Sequence, residues 1–263
     1  MKLTDNNLPA MSVNFLRLLF AFLITLIVCP IIDKNTFKVT KKDLGLYAVI
    51  GLIFGIAATL HATAYFFAPI SNVILITSSY FIIIILLDSL FLKEHPKKIT
   101  IVAGLMGLLG ISVINPFQAG SYLIGNVLAL FTALFAGILY TMMRYADKNH
   151  SIGDIMWIFL FATLFLSPFA FVSGFTGISS SLIWIFLSGS LSLGIAYLFF
   201  TYALQKVKVV LASAVNMALN PLLSIIFGIL LVGELITLKV AVGGSIIIAS
   251  GLIIKTRTAL MEN

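Results

Sequence analysis

Long apolar runs alternate with short polar connections along the whole chain, and nine of the runs approach the length of a membrane span. A helix needs about 20 predominantly apolar residues to cross a bilayer. Continuous apolar runs satisfy their backbone groups in lipid only as helices, and the period-two alternation of a membrane β-barrel is absent. The predicted spans are 13–32, 44–67, 70–92, 99–115, 122–143, 154–174, 181–204, 209–232 and 238–255.

Composition assigns the chain to the membrane-protein class. Of its 263 residues, 61% are hydrophobic and 10% are charged, whereas a soluble domain has about 25% charged residues. The single cysteine, Cys29, excludes an intramolecular disulfide. The sequence therefore predicts an all-α integral membrane protein.

Two regions of the chain share one layout when the second is shifted back by 140 positions. Each region has an apolar span, a short turn that holds a glutamate, and a glycine-containing span. The corresponding positions are Tyr80 and Phe81 with Asn220 and Pro221, 92–94 with 232–234, and Gly104 with Gly244. This internal repeat predicts two halves, residues 1–119 with four helices and residues 120–263 with five.

Lysine and arginine are distributed unevenly over the predicted connections. Thirteen of the sixteen lie on one side of the membrane, and the exceptions are Lys2, Arg17 and Lys239. Because positive residues concentrate in cytoplasmic loops, this bias predicts an exterior N-terminus and a cytoplasmic C-terminus in the plasma (inner) membrane. It also explains the net charge of +7 without a nucleic-acid partner.

The turns at Glu94 and Glu234 are separated by five predicted crossings of the membrane. An odd number of crossings places the two halves in opposite orientations, so the repeat has inverted topology. Many secondary transporters are built from inverted repeats and bind substrate near the midplane, where the repeats meet.

Three segments resemble parts of a known family: residues 14–28 (NFLRLLFAFLITLIV), 86–114 and 221–254. The features typical of that family are a helix with an arginine near its start, a helix with a proline, a Leu-Gly-Glu-like turn and a glycine-rich last helix. The matching residues are Arg17, Pro221, Gly233, Glu234 and Gly244, and the first half departs with Phe81 and Lys93. The chain resembles the EamA-like proteins of the drug/metabolite transporter superfamily.

The resemblance implies ten helices in two sets of five, with both termini in the cytoplasm. It also implies a cavity lined by the helices at 44–67, 70–92, 181–204 and 209–232. Because the first span here resembles the family's second helix, we expect the first helix to be missing and an open groove in its place. Three occupants of this groove are possible: lipid, a partner chain, or a second copy of the chain in a homodimer.

Asn220 and Tyr80 are the leading candidates for the substrate cavity. The repeat makes them symmetry mates near the midplane, where a polar group needs a partner or a water-filled cavity. Asn220 also precedes a proline, which frees a carbonyl group for a ligand. Interhelical hydrogen bonding is the alternative. The further candidates for the lining, each also compatible with ordinary packing, are Ser78, Ser79, Asn216 and Tyr197.

Three ionisable residues within the spans are candidates for charge recognition or coupling. Arg17 lies about one turn inside its span, where its side chain either contacts a ligand or snorkels to water. His61, beside Tyr65, either binds an anionic group and titrates or packs as a hydrogen-bonded histidine. Asp88 either couples protons or pairs with Lys93 at the interface.

The sequence has no ATP-binding G-x-x-x-x-G-K-[ST] motif, no metal-binding cluster and no channel filter, and Asp88 is its only acid in the interior of a span. We therefore expect no cofactor, no metal site and no catalytic residue. With the resemblance, these features predict a secondary transporter or facilitator of a small polar metabolite, an amino acid or related compound, working by alternating access, with export left open. The alternatives are a non-transporting or degenerate membrane protein or assembly partner, and an intramembrane enzyme, which the lack of paired acids disfavours.

Overall fold

The computed structural model describes residues 9–92, 97–114, 116–117, 120–147, 152–178, 181–207, 215 and 237–259. These residues form helices and connecting turns and contain no strand. The α-helices are α1 (Ala10–Ile32), α2 (Lys41–Phe67), α3 (Ile70–Ser78), α4 (Tyr80–Leu87), α5 (Lys98–Ile114), α6 (Leu123–Asp147), α7 (Asp154–Ser173), α8 (Leu182–Leu187), α9 (Ala196–Lys206) and α10 (Leu238–Ala259). Two π-helical segments are π1 (Asp88–Leu92) and π2 (Ser188–Ile195).

Six helical stretches in the described residues are long and apolar enough to cross a membrane: 10–32, 41–67, 72–91, 123–145, 154–173 and 182–206. Two shorter apolar helices, 98–114 and 241–250, fall on two more of the predicted spans. The prediction of an all-helical, multi-pass membrane protein is confirmed. The ninth predicted span, 209–232, lies outside the described residues except for Val215, so the number of nine stays a prediction.

The predicted span 70–92 is interrupted instead of being one continuous α-helix. The hydroxyl groups of Ser78 and Ser79 donate to the carbonyl oxygens of Ile74 and Ile76, at 2.7 and 2.6 Å. Serine hydroxyls that donate to backbone carbonyl oxygens compete with the backbone amides for these acceptors. The amide of Ser79 accordingly bonds three residues back to Ile76, at 3.1 Å, and the amide of Ile82 bonds to Ser79, at 2.9 Å. The α-helical hydrogen bonding is therefore interrupted at Ser79, between α3 and α4, without a proline.

The described residues belong to two compact units. Unit 1 comprises residues 1–63 and 138–206, and unit 2 comprises residues 64–137 and 207–263. Helices α2 and α6 each contribute to both units. Both units draw on both predicted halves of the sequence, and the boundary between 119 and 120 stays a prediction.

In unit 1, α1 and α7 run antiparallel. At one end, the hydroxyl of Ser12 donates to the carbonyl oxygen of Ala170, at 3.1 Å, and also to that of Gly174. At the other end, the thiol of Cys29 donates to the carbonyl oxygen of Ile152, at 4.0 Å. The start of α1 thus lies beside the end of α7, and the end of α1 lies beside the residues that precede α7.

Two pairs of glycines allow the other close contacts of unit 1. A Cβ added to Gly51 would lie 2.7 Å from the carbonyl oxygen of Ile158, and one added to Gly55 would lie 2.8 Å from Leu166, so α2 packs tightly on α7. A Cβ added to Gly189 would lie 2.5 Å from the carbonyl oxygen of Arg17.

Gly194 makes the matching contact further along π2, against Ile24 and Ala21 of α1. Gly51 and Gly55 are four residues apart, whereas Gly189 and Gly194 are five apart. In a π-helix the hydrogen bond joins residues five apart, so both glycines of π2 face α1.

In unit 2, α5 and α10 pack through glycines. A Cβ on Gly110 would lie 2.6 Å from Ile247 and 2.8 Å from the carbonyl oxygen of Gly243, and one on Gly243 would lie 2.5 Å from Ile114. Gly110 of α5 contacts Ile247, whereas Ile114, four residues later in α5, contacts Gly243, four residues earlier in α10. The two helices are therefore antiparallel. Gly104 receives the ring of Phe81.

Candidate functional site

An aromatic cluster surrounds Tyr197 of α9 in unit 1. Its ring centroid lies 5.0 Å from that of Phe54, 5.9 Å from that of Phe159 and 6.1 Å from that of Phe200, all with the rings edge-on. Edge-on contacts at these distances are the favoured arrangement of aromatic rings. The cluster brings α2, α7 and α9 together at one place.

The polar part of this cluster is a pair of tyrosine hydroxyls. The oxygens of Tyr140 and Tyr197 are 3.2 Å apart, within hydrogen-bond distance, and Tyr140 is 9% exposed. A phenol hydroxyl donates one hydrogen bond and accepts others, so their mutual bond uses only part of their capacity. The pair can contact a small polar molecule while the surrounding rings contact its apolar part.

One face of α2 connects this cluster with a second group of polar residues. Phe54, Ala58 and His61 are four and three residues apart, a spacing that places them on one side of a helix. The side-chain amide of Asn14 in α1 donates to the carbonyl oxygen of Ala58, at 3.5 Å. One turn further along each helix, Arg17 and His61 lie close enough for an electrostatic interaction, which is repulsive when both side chains are charged. The structure thus brings together two of the candidate ionisable residues, 44 positions apart in sequence.

Unit 2 holds four more of the candidate residues. Tyr65 packs against the buried cluster of Ala64, Ala68, Val73 and Ala129. Ser78, Ser79 and Tyr80 are consecutive where α3 ends and α4 begins. The two serine hydroxyls bond to carbonyls of their own helix, and Tyr80 is 8% exposed.

The sequence as a whole matches the model of one protein family, described as the EamA-like transporter family, over residues 1–115 and 123–256. The chain belongs to the EamA-like transporter family. The expected resemblance is therefore confirmed, and the protein is a multi-pass membrane protein of a transporter family.

Three relatives of this EamA-like chain are themselves named only as uncharacterized transporters. One from Archaeoglobus fulgidus is 26% identical over 246 residues, which are 92% of this chain and 86% of that protein. YoaV of Bacillus subtilis is 26% identical over 98% of this chain and 91% of its own length. YetK of the same organism is 28% identical over 180 residues, and that match spans about half of its length, 54%.

A solved crystal structure has the same fold as this EamA-like protein. It superposes with a TM-score of 0.81 over 98% of this chain and 91% of the other. The sequences are 14% identical, so the similarity establishes the fold alone.

The remaining candidate residues of this EamA-like chain are Asp88, Asn216 and Asn220. Asp88 is the first residue of π1. Asn216 and Asn220 lie outside the described residues, so the pairing of Asn220 with Tyr80 stays a prediction.

Sequence reasoning missed one partly buried polar pair in unit 2. The side-chain amide of Asn72 donates to the side-chain oxygen of Asn126, at 3.1 Å, and Asn72 is fully buried. Each asparagine stands near the first turn of a helix, where it looked like part of a polar connection. The one signal for this pair in the sequence was the presence of two asparagines inside predicted spans, 54 positions apart.

A metal site was not expected. The described residues contain no group of three His, Cys, Asp or Glu side chains that could hold a metal ion.

Proposed function

We propose that this EamA-like protein is a secondary transporter that moves a small polar metabolite, such as an amino acid or a related compound, across the plasma membrane by alternating access. The observation that carries the proposal is the pair of hydroxyls of Tyr140 and Tyr197, which lie 3.2 Å apart among aromatic rings of unit 1, with Tyr140 buried and Tyr197 half-buried. A transport site needs a few placed polar groups within a mostly apolar lining.

Antiparallel packing of corresponding helices supports an inverted repeat. In unit 1, α1 and α7 are the second helices of the two family halves, and they run antiparallel. In unit 2, α5 and α10 are the last helices of the halves, and they run antiparallel too. Inverted halves require opposite directions for both pairs, and such repeats underlie alternating access in many transporters.

The interruption between α3 and α4 supports a binding role for this part of unit 2. Broken helices near the midplane expose backbone groups that coordinate substrates or ions in many transporters. The interruption lies at Ser79, directly before Tyr80, and the 140-residue repeat aligns Tyr80 with Asn220, which precedes Pro221. We therefore retain Tyr80 and Asn220, with Ser78, Ser79 and Asn216, as proposed lining residues.

The orientation of the protein is also a proposal. The thirteen cations on one side favour an exterior N-terminus and a cytoplasmic C-terminus. With this orientation, Asn14, Arg17 and His61 lie towards the exterior and the aromatic cluster lies deeper in the membrane.

The test begins by finding the substrate and then removes one hydroxyl. Metabolite profiling of cells with and without the gene identifies compounds whose levels change, and flux of these compounds is then measured in proteoliposomes. We expect Tyr197→Phe to lower transport about fivefold, because it removes one hydrogen bond of about 1 kcal/mol and keeps the ring.

Tyr202→Phe is the matched control, since Tyr202 lies on the same helix but is 51% exposed. It should transport at the wild-type rate. Equal flux in wild type and Tyr197→Phe would remove Tyr197 from the site, and no flux of any compound in the wild type would reject the transporter itself.

A further inference from the structure

The connection between α1 and α2, residues 33–40, lies at a surface of the membrane. It joins two helices of unit 1 that are long and apolar enough to cross the bilayer. Ile27, Ile31 and Ile32, in the last turns of α1, are exposed. In a membrane-spanning helix, exposed apolar side chains face the lipid tails. Lipid therefore reaches α1 up to the residue before the connection, and the connection lies at the level of the lipid headgroups.

The backbone of this connection is held against the start of α7. The indole nitrogen of Trp157 donates to the carbonyl oxygen of Thr36, at 3.0 Å. Thr36 is 1% exposed, and a Cβ added to Gly153 would lie 2.5 Å from its hydroxyl oxygen. The amide of Lys38 donates to the carbonyl oxygen of Asn35, at 2.8 Å, which closes the turn. The backbone positions from which the side chains of the connection project are therefore fixed.

The carboxylates of Asp33 and Asp43 take part in the local structure at the two ends of the connection. Asp33 accepts a hydrogen bond from the amide of Asn35, at 2.8 Å. Asp43 accepts from the amide and the hydroxyl of Thr40, at 2.9 and 2.7 Å, and its own amide donates to that hydroxyl, at 3.3 Å. This reciprocal pattern is a capping box at the start of α2. Both aspartates are half-buried.

The lysines of this region are exposed, in contrast to its aspartates. Two lie in the connection and two in the first turn of α2: Lys34, Lys38, Lys41 and Lys42. The positive end of the helix dipole disfavours cations in a first turn, so Lys41 and Lys42 do not stabilise α2. Phe37, between the lysines of the connection, is 57% exposed. We refer to the four lysines and Phe37 as the lysine segment.

We propose that the lysine segment binds the headgroups of anionic phospholipids, with Phe37 inserted at the boundary between headgroups and acyl chains. Groups of four or more lysines next to a membrane span attract anionic lipids, and an aromatic side chain among such cations strengthens binding to the membrane surface. A free phosphate ion offers the same chemistry to a lysine. Phe37 favours the lipid, because only a phosphate joined to acyl chains brings an apolar surface for the ring.

Trp157 provides a local probe of this binding, because its indole contacts the connection. Trp184 is the only other tryptophan of the chain, so Trp184→Phe leaves Trp157 as the single fluorophore. The purified variant is placed in nanodiscs of phosphatidylcholine and phosphatidylglycerol in equal parts. One lipid or the other carries bromine on its acyl chains near the headgroup, and the bromine quenches a tryptophan that it approaches.

We expect phosphatidylglycerol to occupy the sites around Trp157 with an affinity at least about fivefold above that of phosphatidylcholine. Each lysine near an anionic surface contributes a factor of about five. Changing the four lysines of the segment to glutamine should make the two lipids quench equally. Phe37→Ser should weaken the binding of phosphatidylglycerol while the lysines remain.

The matched control changes four other exposed lysines to glutamine: Lys97, Lys98, Lys206 and Lys239. It removes the same net charge away from the connection and should keep the full preference for phosphatidylglycerol. If the variant of the lysine segment does not fold, Lys34→Gln with Lys38→Gln changes only the connection and should still reduce the preference.

Inorganic phosphate distinguishes the two sources of the anionic group. Sodium phosphate and sodium chloride at equal ionic strength should reduce the preference equally, since both only screen the charges. Stronger displacement by phosphate would assign the segment to the free ion and overturn the lipid site. Equal quenching by both lipids before any lysine is changed, or a preference that survives the loss of the segment's lysines, would overturn it as well. The measurement needs no transported substrate, so its outcome is separate from that of the transporter proposal.

Discussion

A single methyl group added at Gly189 tests the tightest helix contact of unit 1. In Gly189→Ala, the new Cβ would lie 2.5 Å from the carbonyl oxygen of Arg17 and 3.0 Å from the Cβ of Phe20. Ordinary carbon–oxygen contacts need roughly 0.8 Å more, and a backbone atom cannot move aside as a flexible side chain does. The two helices must therefore separate.

The expected cost follows from two opposing terms. Overpacking of a well-packed interior costs about 1–3 kcal/mol, and replacing a helical glycine by alanine returns roughly 0.5–1 kcal/mol. We expect Gly189→Ala to lose about 1–2 kcal/mol, which lowers the unfolding temperature of a chain of this size by about 2–8 °C.

Cys29 provides the assay. It is the only cysteine of the chain, it is fully buried in α1, and α1 is the helix that Gly189 contacts. A thiol-reactive fluorogenic dye reports its exposure while the detergent-solubilised protein is heated. The dye thus follows the loss of the contacts under test.

Gly45→Ala is the matched control. It is the same substitution in a helix of unit 1, but a Cβ at Gly45 meets nothing within 4 Å. Its unfolding temperature should stay unchanged or rise slightly. If the two variants unfold at the same temperature, close packing at Gly189 does not contribute to stability and the reasoning from contact distances fails.

Two further predictions concern unit 2 and the orientation. Asn72→Leu and Asn126→Leu should each destabilise the protein by about 1 kcal/mol, because each removes the hydrogen bond between the two side-chain amides. The double variant should lose less than the sum of the single variants, and additive losses in thermal unfolding would contradict the pairing. A cysteine at position 3, in the Cys29→Ser background, should react with a membrane-impermeant maleimide from outside intact cells, and reaction only after permeabilisation would reverse the proposed topology.

Much of the fold was predictable because the length and apolar composition of a run of residues identify a membrane helix. An apolar run of about 20 residues has one stable conformation in lipid, so α1, α2, α6 and α7 follow almost directly from hydropathy. The interruption at Ser79 was not predicted, since hydropathy does not register a hydroxyl that donates to a backbone carbonyl. Paired serines within an apolar run were the signal for it.

The candidate site was less predictable because it depends on which helix faces meet. Tyr197 was predicted as a candidate for the cavity lining, but Tyr140 lies in an apolar run and gives no sign that its hydroxyl contacts that of Tyr197. Arg17 and His61 were separate candidates, and only the register of α1 against α2 joins them. Such registers arise from packing, which periodicity alone does not determine.

The π-helical segment gives the chain an unequal tolerance of length changes. Gly189 and Gly194 face α1 together only because π2 holds five residues where an α-helix would use four. Deleting one residue between them converts the turn to an α-helix and keeps both glycines against α1. Inserting one leaves no regular helix that does so, because each added residue turns an α-helix by about 100°. The π-helical segment thus already contains one residue more than an α-helix would. The contact of both glycines with α1 therefore tolerates a one-residue deletion at this point, before the helix that contains Tyr197, but not an insertion.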